Sequence, residues 1–508
     1  MSAEENKPKG LDLTQGIALG EIADGGMIEG HVGGEAVLVA RRSSEIFAIG
    51  ATCSHYNGPL AQGLLVGDTV RCPWHHACFS LRTGEAVAPP AINPVACWKV
   101  EQRDGRVIVR EKAKAAPVRE PSEDEPHRIV IVGGGGAGFA AAEMLRREGF
   151  GGELILLSAD KAAPYDRPNC SKDFLAGTAQ AYWMPMKPPE YYTEQLIDLR
   201  LGTEVTAIDP KARKVTLASG EHIAFDRLLL ATGAKPVRLK VPGADRSHVH
   251  VLRSMTDAKA IIAVADKAQR VVVIGASFIG LEVAASLRAR KLDVHVVAPE
   301  ARPLEKVLGR ELGDFVRKTH EKHGVVFHLE DEVTAISDKN VTLKSGKTLD
   351  ADLVVVGIGV KPRLGLAEKA GLEVDKGVLV NEHLETSAPG IFAAGDIARW
   401  PDRHSGEAIR VEHWVVAERQ GQTAARNMLG QGVKYEAVPF FWSLHYDQAV
   451  NYVGHADKWD ETAIEGDVAN GDCVVRFKRD GKVLAVASIK ETDLDSLKAE
   501  RAMETGAL

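Results

Sequence analysis

The chain has 508 residues, of which 45% are hydrophobic and 26% are charged, and its formal net charge is -7. This composition is typical of a folded globular protein rather than a disordered one, and the length predicts three or four domains of roughly 150 residues each. Because the chain is mildly acidic, we do not expect nucleic acid to be a partner, since phosphate binding needs a concentrated basic face.

The N-terminal sequence MSAEENKPKG is polar and lacks the apolar stretch of a secretory signal. No run of residues has the length and apolarity of a membrane span. Six cysteines in a chain of this length do not make a disulfide framework. We therefore expect a cytoplasmic protein, in which a cluster of cysteine and histidine residues indicates metal binding.

The first predicted domain covers residues 12–110, where short β segments such as EAVLVARR, EIFAIGA and RVIVRE are separated by glycine. It contains Cys53-x-His55 and Cys72-x-x-His75, with sixteen residues between the two motifs. Tight turns with these internal spacings can deliver two side chains each to one site. A zinc ion, a Rieske [2Fe–2S] cluster and chance are the three explanations of this pattern.

The order of the ligands favours the cluster. Zinc fingers pair cysteine with cysteine and histidine with histidine, whereas each motif here holds one residue of each type. In a Rieske centre two cysteines bind one iron and two histidines bind the other, with one of each from each loop. Residues 12–110 resemble the Rieske ferredoxins, and the metal ligands that this resemblance implies are Cys53, His55, Cys72 and His75. We interpret His76 and Cys78 as neighbours of the ligands and Cys97 as a core residue.

The sequence also indicates the type of Rieske centre. Respiratory Rieske proteins carry an extra cysteine on each loop, and the matching positions here are Gly58 and Trp74. They also place two hydroxyl groups near the cluster, where this chain has Ala77 and Phe79. Hydrogen bonds to the cluster stabilise its reduced state, so their absence predicts a ferredoxin-type centre in the lower part of the Rieske range of potentials.

Residues 111–127 are charged, contain proline and read as a linker. A βαβ pattern follows, in which Gly133-x-Gly135-x-x-Gly138 comes after a strand and opens a helix. Such glycines, with Gly136 and Ala137 between them, let the backbone and the helix N-terminus approach a pyrophosphate. Asp160 lies 22 residues past Gly138, where its carboxylate is predicted to accept hydrogen bonds from a ribose.

A second βαβ pattern begins about 140 residues later with Gly275-x-Ser277-x-x-Gly280. Serine replaces the middle glycine, and the ribose-binding acid is displaced to Glu300. No arginine immediately follows the strand to hold a 2′-phosphate, although Arg302 is near. These features favour NADH over NADPH as the second dinucleotide.

Three further segments occur in order, with Thr232 and Gly233 in the first, Gly357 and Gly359 in the second, and Gly395 and Asp396 in the third. With the glycine motifs they make residues 128 to about 455 resemble the FAD-dependent pyridine-nucleotide reductases, in the branch of ferredoxin reductases and apoptosis-inducing factors. The resemblance implies that Asp396 binds the flavin ribityl chain. It also implies flavin or nicotinamide contacts for Arg167, Lys172, Glu282, Glu412, His413 and Trp442.

Two of these residues have a chemical reason that does not depend on the family. A flavin that accepts hydride gains negative charge, and a fixed ammonium such as that of Lys172, paired with Glu282 beside the flavin N5, stabilises it. Cys170 has no second cysteine near it, so we expect a buried inert thiol rather than a redox disulfide.

The predicted fold class is multidomain. An all-β Rieske domain precedes two Rossmann-like α/β domains for FAD and NAD, and an α+β domain ends the chain. The expected boundaries are 12–110 for the Rieske domain, 111–127 for the linker, 128–248 and 365–432 for the FAD domain, 249–364 for the NAD(P) domain and 433–508 for the C-terminal domain.

The predicted function is electron transfer from NAD(P)H through FAD to the Rieske cluster and on to an unidentified small protein or small molecule, by a monomer or a homodimer. One alternative is an NADH:ferredoxin or rubredoxin reductase component of an oxygenase system. Another, from a different class, is an NADH-sensing flavoprotein.

Overall fold

The computed structural model describes residues 10–114, 126–490 and 493–508. The chain divides into two compact units. Of the described residues, 10–114 and 493–507 form the first unit, and 126–490 together with residue 508 form the second. Most of the predicted linker lies outside the described residues, although its first two positions still belong to a strand.

The N-terminal part of the first unit is built from short strands, as the glycine-separated β segments predict. One sheet has the order β1-β3-β4-β5-β10-β11-β2, and a second has the order β6-β7-β8-β9. Cys53 and Cys72 are buried in the hydrophobic core of this region with Leu38, Ile49 and Phe79. The strands are β1 (Leu11–Asp12), β2 (Ile17–Ala18), β3 (Met27–Val32), β4 (Glu35–Arg42), β5 (Glu45–Gly50), β6 (Leu64–Val66), β7 (Thr69–Arg71), β8 (Cys78–Ser80), β9 (Ala86–Ala88), β10 (Cys97–Arg103) and β11 (Arg106–Lys112).

The FAD-type domain of the second unit is centred on a parallel sheet with the order β14-β13-β12-β18-β30. Its elements are β12 (Arg128–Val132), α1 (Gly136–Arg147), β13 (Glu153–Leu157), α2 (Asp173–Ala176), α3 (Pro189–Glu194), β14 (Ile197–Arg200), β15 (Val205–Asp209), β16 (Lys214–Leu217), β17 (His222–Ala224), β18 (Arg227–Leu230) and β19 (Ala234–Pro236).

The NAD-type domain repeats this architecture, with a parallel sheet of order β20-β27-β21-β22-β23. In both sheets the third, second, first and fourth strands of the repeat lie side by side, which confirms the two predicted Rossmann-like domains. The elements are β20 (Val249–Val251), α4 (Met255–Ala265), β21 (Arg270–Ile274), α5 (Phe278–Ala289), β22 (Asp293–Ala298), α6 (Glu305–Lys322), β23 (Val326–Leu329), β24 (Val333–Ile336), β25 (Asn340–Leu343), β26 (Thr348–Asp350), β27 (Leu353–Val356) and β28 (Val360–Pro362).

The chain then returns to the FAD-type domain, because β30 pairs with β18 in the register Leu228↔Ile391. The sheet is therefore made from two separate segments of sequence, as the motif order predicts. The elements of this second segment are α7 (Gly365–Lys369), β29 (Val378–Leu379), β30 (Ile391–Ala393), β31 (Ala398–Pro401), β32 (Ala408–Ile409) and α8 (Trp414–Met428).

The C-terminal part of the second unit is an antiparallel sheet with the order β33-β34-β37-β36-β35. Its strands are β33 (Phe440–His445), β34 (Gln448–Gly454), β35 (Glu461–Asp467), β36 (Asp472–Arg479) and β37 (Lys482–Ile489).

The last helix, α9 (Leu494–Thr505), does not belong to the unit that precedes it. It is part of the first unit, together with the strands at the other end of the chain. The expected C-terminal domain of residues 433–508 is thus divided, with its sheet in one unit and its helix in the other.

Candidate functional site

The two cysteine-histidine loops of the first unit have the same backbone geometry. In the first loop, the N–H of Asn57 donates to the carbonyl of Cys53 at 3.0 Å, and the N–H of Cys53 donates to the carbonyl of Gly58 at 2.8 Å. The second loop repeats these bonds at equivalent positions, from the N–H of His76 to the carbonyl of Cys72 at 3.2 Å and from the N–H of Cys72 to the carbonyl of Ala77 at 2.8 Å.

The four predicted ligands meet as two pairs. Nδ1 of His55 lies 3.2 Å from Nδ1 of His75, and the thiols of Cys53 and Cys72 contact each other. Within the described residues, no group of three or more His, Cys, Asp or Glu side chains converges as one metal ion would require. A zinc ion needs such a group, whereas a binuclear cluster takes one pair on each iron. The residues therefore fit a Rieske cluster.

The protonation of His55 also suits metal binding. Burial lowers the pKa of His55 to about 4, which leaves its imidazole neutral at physiological pH. Backbone N–H groups surround the sulfur atoms, those of His55 and Tyr56 at Cys53 and those of Trp74 and His75 at Cys72. Such N–H groups stabilise a thiolate ligand.

The positions that define the cluster type have clear surroundings. A Cβ built on Gly58 would lie only 2.7 Å from Sγ of Cys72, so a cysteine does not fit there without a shift of the loop. Ala77 and Phe79 are fully buried and offer no hydroxyl group, and Trp74 is 41% exposed. A low cluster potential remains the prediction.

The first glycine motif is tightly constrained at two of its glycines. Gly133 has φ 120°, and a Cβ on it would lie 2.1 Å from the carbonyl oxygen of Ala231. A Cβ on Gly138 would lie 1.8 Å from the carbonyl oxygen of Gly133. Neither position tolerates a side chain, because both neighbours are backbone.

Gly135 differs, because it caps α1 and faces open space. The nearest atom to a Cβ built there is a guanidinium nitrogen of Arg167 at 4.0 Å. Gly136, which is next along the helix, is held close to the ring of Trp414, 3.0 Å from such a Cβ. A helix N-terminus facing an open cradle, with a cation at its edge, fits a pyrophosphate.

The predicted ribose ligand Asp160 is held within its own loop. Its carboxylate accepts from the Tyr165 hydroxyl at 3.0 Å and from the N–H of Ala162 at 3.1 Å. The Tyr165 hydroxyl also accepts from Arg167 at 3.0 Å. Asp160 and Arg167 are therefore joined through Tyr165.

The Gly395-Asp396 turn is brought to the same region. Gly395 has φ 79°, and a Cβ on it would be 3.2 Å from the Cβ of Ala137 on α1. The buried carboxylate of Asp396 pairs with Arg253, whose guanidinium lies 3.6 Å from a Cβ built on Gly233. This side of the sheet thus collects the residues predicted to hold FAD. Thr232 is adjacent, and its hydroxyl donates to the carbonyl of Arg363 at 3.1 Å.

Lys172 and the buried Glu282 form a partly buried ion pair, with Nζ and Oε2 separated by 2.9 Å. The hydroxyl of Ser171 donates to the same carboxylate oxygen at 2.6 Å, and the hydroxyl of Ser443 donates to the other at 2.7 Å. Two distant segments of the chain, residues 171–172 and Ser443, thereby fix the carboxylate of Glu282. The ammonium that it holds is the group expected beside the flavin.

The second glycine motif is packed against backbone atoms as tightly as the first. Cβ atoms on Gly275 and Gly280 would lie 2.4 Å from the carbonyl oxygen of Gly357 and 2.1 Å from that of Gly275. The Ser277 hydroxyl accepts from the N–H of Gly280 at 3.3 Å and donates to the carbonyl of Gly357 at 2.7 Å. It is engaged within the turn as the N-cap of α5. Gly359 has φ 100° and open space around it.

The acidic Glu300 and the basic Arg302, which follow β22, each pair with a different side chain. Glu300 accepts from Lys306 at 3.1 Å. Arg302 donates to Asp314 at 2.9 Å and lies 3.6 Å from Glu305. The hydrogen bond to Asp314 raises the pKa of Arg302.

The remaining predicted contacts, Glu412, His413 and Trp442, are less closely grouped. Glu412 accepts from Arg410 at 2.6 Å. The His413 ring packs 4.4 Å from that of Phe441, and burial lowers the pKa of His413 to about 3. Trp442 is next to Ser443 on β33, so the two side chains point to opposite faces of the strand.

Several residues of the site were missed from the sequence. Ser171 and Ser443 adjoin predicted residues and could have been found as hydroxyl groups within the motifs. Arg253, which pairs with Asp396, and Glu418, on α8, carried no sequence signal.

Glu418 is fully buried and, among the described residues, neither carboxylate oxygen has a hydrogen-bond partner of good geometry, although the Trp414 side chain is close enough to interact with the carboxylate. Burial raises its pKa well above the usual range. Above about pH 4.5 the unfolded chain therefore releases a proton that the folded chain keeps, and stability falls as pH rises towards the folded pKa. We expect Glu418→Gln to raise Tm more at pH 8 than at pH 5, measured by calorimetry.

The matched control for that experiment is Glu190→Gln, at an exposed position of α3. It should leave the pH dependence unchanged. An equal change in Tm at the two pH values for Glu418→Gln would contradict the assignment of a neutral buried acid.

Cys170 is buried, and burial raises its pKa to about 12, so it is a thiol at physiological pH. All six cysteines are free. An inert buried thiol at Cys170 therefore remains the prediction.

Known families match along most of the chain. Residues 127–421 match the family described as pyridine nucleotide-disulphide oxidoreductase, residues 17–99 match the Rieske [2Fe-2S] domain, and residues 440–507 match the reductase C-terminal family. The chain therefore belongs to the pyridine nucleotide-disulphide oxidoreductase family. It is a FAD-dependent NAD(P)H oxidoreductase of the ferredoxin-reductase type with an N-terminal Rieske domain.

Particular relatives cover the chain to different extents. Human apoptosis-inducing factor 3 is 32% identical over 94% of this chain and 82% of its own length. Rhodocoxin reductase of Rhodococcus erythropolis is 36% identical over 72% of this chain and 86% of its own length. The covalent complex of putidaredoxin reductase with putidaredoxin matches at a TM-score of 0.72 and 33% identity, over 75% of this chain and 94% of that one.

A membrane-spanning helix was not expected. In the described ranges, no helix combines the length and apolarity needed to cross a membrane.

Proposed function

We propose that the chain transfers electrons from NADH through FAD to a Rieske cluster held by Cys53, His55, Cys72 and His75, and then to a small protein or small molecule. The observation that carries this proposal is the presence of two complementary sites in one chain. Bound FAD takes electrons in pairs from a nicotinamide and can release them singly, and a [2Fe–2S] cluster accepts one at a time. The two units thus supply successive parts of one electron path.

The role proposed for Lys172 follows from its surroundings. Its ammonium is 14% exposed and is held 2.9 Å from the carboxylate of Glu282. Because Ser171 and Ser443 occupy both oxygens of that carboxylate, Glu282 cannot turn away, and the position of the ammonium is fixed. A preorganised cation stabilises negative charge that develops during hydride transfer.

The other dinucleotide-binding residues are proposed in the same way. The cradle at Gly135 and Arg167 suits the pyrophosphate of FAD, and we assign the carboxylates of Asp160 and Asp396 to its ribose and ribityl hydroxyls. Glu412, His413 and Trp442 remain proposed contacts of the flavin or nicotinamide.

The preference for NADH is supported by the residues after β22. Glu300 offers a carboxylate, paired at one oxygen with the exposed Lys306, which can accept hydrogen bonds from a ribose and repels a 2′-phosphate. The guanidinium of Arg302 already pairs with Asp314 and Glu305, which leaves it less able to bind a 2′-phosphate.

Anaerobic titration with NADH, followed by visible and EPR spectroscopy, tests the electron path. We expect flavin bleaching followed by the EPR signal of a reduced, histidine-ligated [2Fe–2S] cluster. NADPH at equal concentration should reduce the protein more slowly. Bleaching of the flavin without any cluster signal would contradict the internal path, and equal rates with NADPH would contradict the cofactor preference.

A second candidate is a reductase component that serves an external ferredoxin or rubredoxin of an oxygenase system. The similarity to rhodocoxin reductase and to putidaredoxin reductase favours it. The two proposals differ in whether a separate carrier protein is needed for rapid turnover. A third, an NADH-sensing flavoprotein, predicts very slow flavin reduction in stopped-flow experiments.

We also propose a cytoplasmic location and a monomeric or homodimeric state. The free thiols support a reducing compartment.

A further inference from the structure

The second cluster loop contains a residue in an uncommon backbone conformation. Asn57 and His76 occupy equivalent positions, each four residues after its cysteine, and both have φ 61°. Glycine enters this left-handed region freely, and asparagine and histidine occur there more often than most other residues, although any residue with a Cβ is uncommon there. In this conformation the His76 ring is held by an interaction from outside the loop.

That interaction comes from α9. His76 is fully buried, and its Nδ1 lies 2.8 Å from a carboxylate oxygen of Glu500. Its Nε2 lies 2.8 Å from the hydroxyl of Ser496, one helical turn earlier. Both ring nitrogens are thus hydrogen-bonded to one face of a helix that lies 420 and 424 positions away in sequence.

A second contact holds the other end of the same loop. Arg71, which precedes Cys72, makes a bidentate pair with Glu504 at 2.9 and 2.8 Å, and also lies 3.4 Å from Glu500. Its side chain is only 13% exposed, so the pair is partly shielded from water. The loop between Arg71 and His76, which contains Cys72 and His75, is therefore anchored to α9 at both ends.

We propose that α9 is a positioning element of the iron–sulfur site, in which Ser496 and Glu500 hold His76 in its left-handed conformation and thereby orient His75. This inference rests on the proposed Rieske cluster. Ser496 and Glu500 are positioning residues, because they act on the ligand loop through the His76 ring. Glycine at position 76 would adopt φ 61° without any anchor.

The test uses the full-length holoprotein. Partners of metal ligands typically change metal affinity by roughly 10- to 100-fold. In Glu500→Ala we expect iron release to a chelator to become about tenfold faster or more, and the g-values of the dithionite-reduced cluster to shift. Glu500→Gln keeps an oxygen that accepts from His76, so it should restore g-values close to those of the unmodified protein.

Two further variants separate positioning from general stability. Leu497→Ala removes a fully buried side chain of α9 that is not bonded to His76. It should lower Tm and leave the g-values unchanged. In a His76→Gly background, Glu500→Ala should have a much smaller effect on iron release and on the g-values, because only its contact with Arg71 at 3.4 Å is then lost.

Each outcome decides a different question. Unchanged g-values and iron release in Glu500→Ala would overturn the inference. So would an equal effect of Glu500→Ala with glycine at position 76, a measurement that remains available if the single variant folds poorly. Absence of a [2Fe–2S] signal in the unmodified protein would instead overturn the proposed cluster itself.

Discussion

Replacement of Lys172 by methionine is expected to slow flavin reduction by NADH roughly 100-fold, the typical effect of removing one preorganised charge-stabilising group. Methionine has a similar length and no charge. The variant therefore removes the ammonium that lies 2.9 Å from Glu282 and changes the size of the side chain little. Stopped-flow absorbance at the flavin band measures the rate. FAD content is measured in parallel, since the same side chain could contribute to cofactor binding.

Two variants provide the comparison. Lys161→Met removes an exposed lysine of the same domain and should leave the rate unchanged. Glu282→Gln keeps groups that can bond Ser171 and Ser443 but loses the charge that holds the ammonium, so its rate should lie between those of Lys172→Met and the unmodified protein. Normal flavin reduction in Lys172→Met with full FAD content would show that the ion pair is structural.

Substitution of Cys72 by serine is expected to abolish the Rieske EPR signal and the visible absorbance of the cluster. Reduction of ferricyanide by NADH should remain close to that of the unmodified protein. The reason is that Cys72 lies in the first compact unit, whereas both glycine motifs and the Lys172–Glu282 pair lie in the second. We would measure the iron content, the EPR signal and the rate of dye reduction on the same preparation.

Cys78→Ser is the matched control for that variant, because Cys78 is also buried but is not a proposed ligand. It should retain both iron and the EPR signal. Loss of the cluster in this control, or loss of dye reduction in Cys72→Ser, would argue against the assigned ligands or against independent units.

Local sequence patterns predicted those parts of the site that depend on local backbone geometry. The glycines at 133, 138, 275 and 280 are needed because backbone atoms approach them within about 2.4 Å of where a Cβ would lie. The spacing of the cysteines and histidines likewise follows from two short turns with the same hydrogen bonds. Requirements of this kind can be recognised from a few neighbouring residues in the sequence.

The partners that complete the site were less visible, because they come from far along the chain. Ser443 reaches Glu282 across 161 positions, and Arg253 reaches Asp396 across 143. Any serine or arginine on a suitable strand or loop could have filled these places, and only the packing of the elements selects one. For the same reason, the sequence placed the end of the chain only within an α+β domain and did not indicate that α9 would join the first unit.

The place of α9 also has a consequence for biosynthesis. The strands of the first unit leave the ribosome early, while the helix that binds the second ligand loop is made almost 400 residues later. At ~5–20 residues per second this interval is on the order of half a minute. The N-terminal module reaches its complete form only after the reductase has been translated, so iron insertion into the finished site becomes a late event in the life of each new chain.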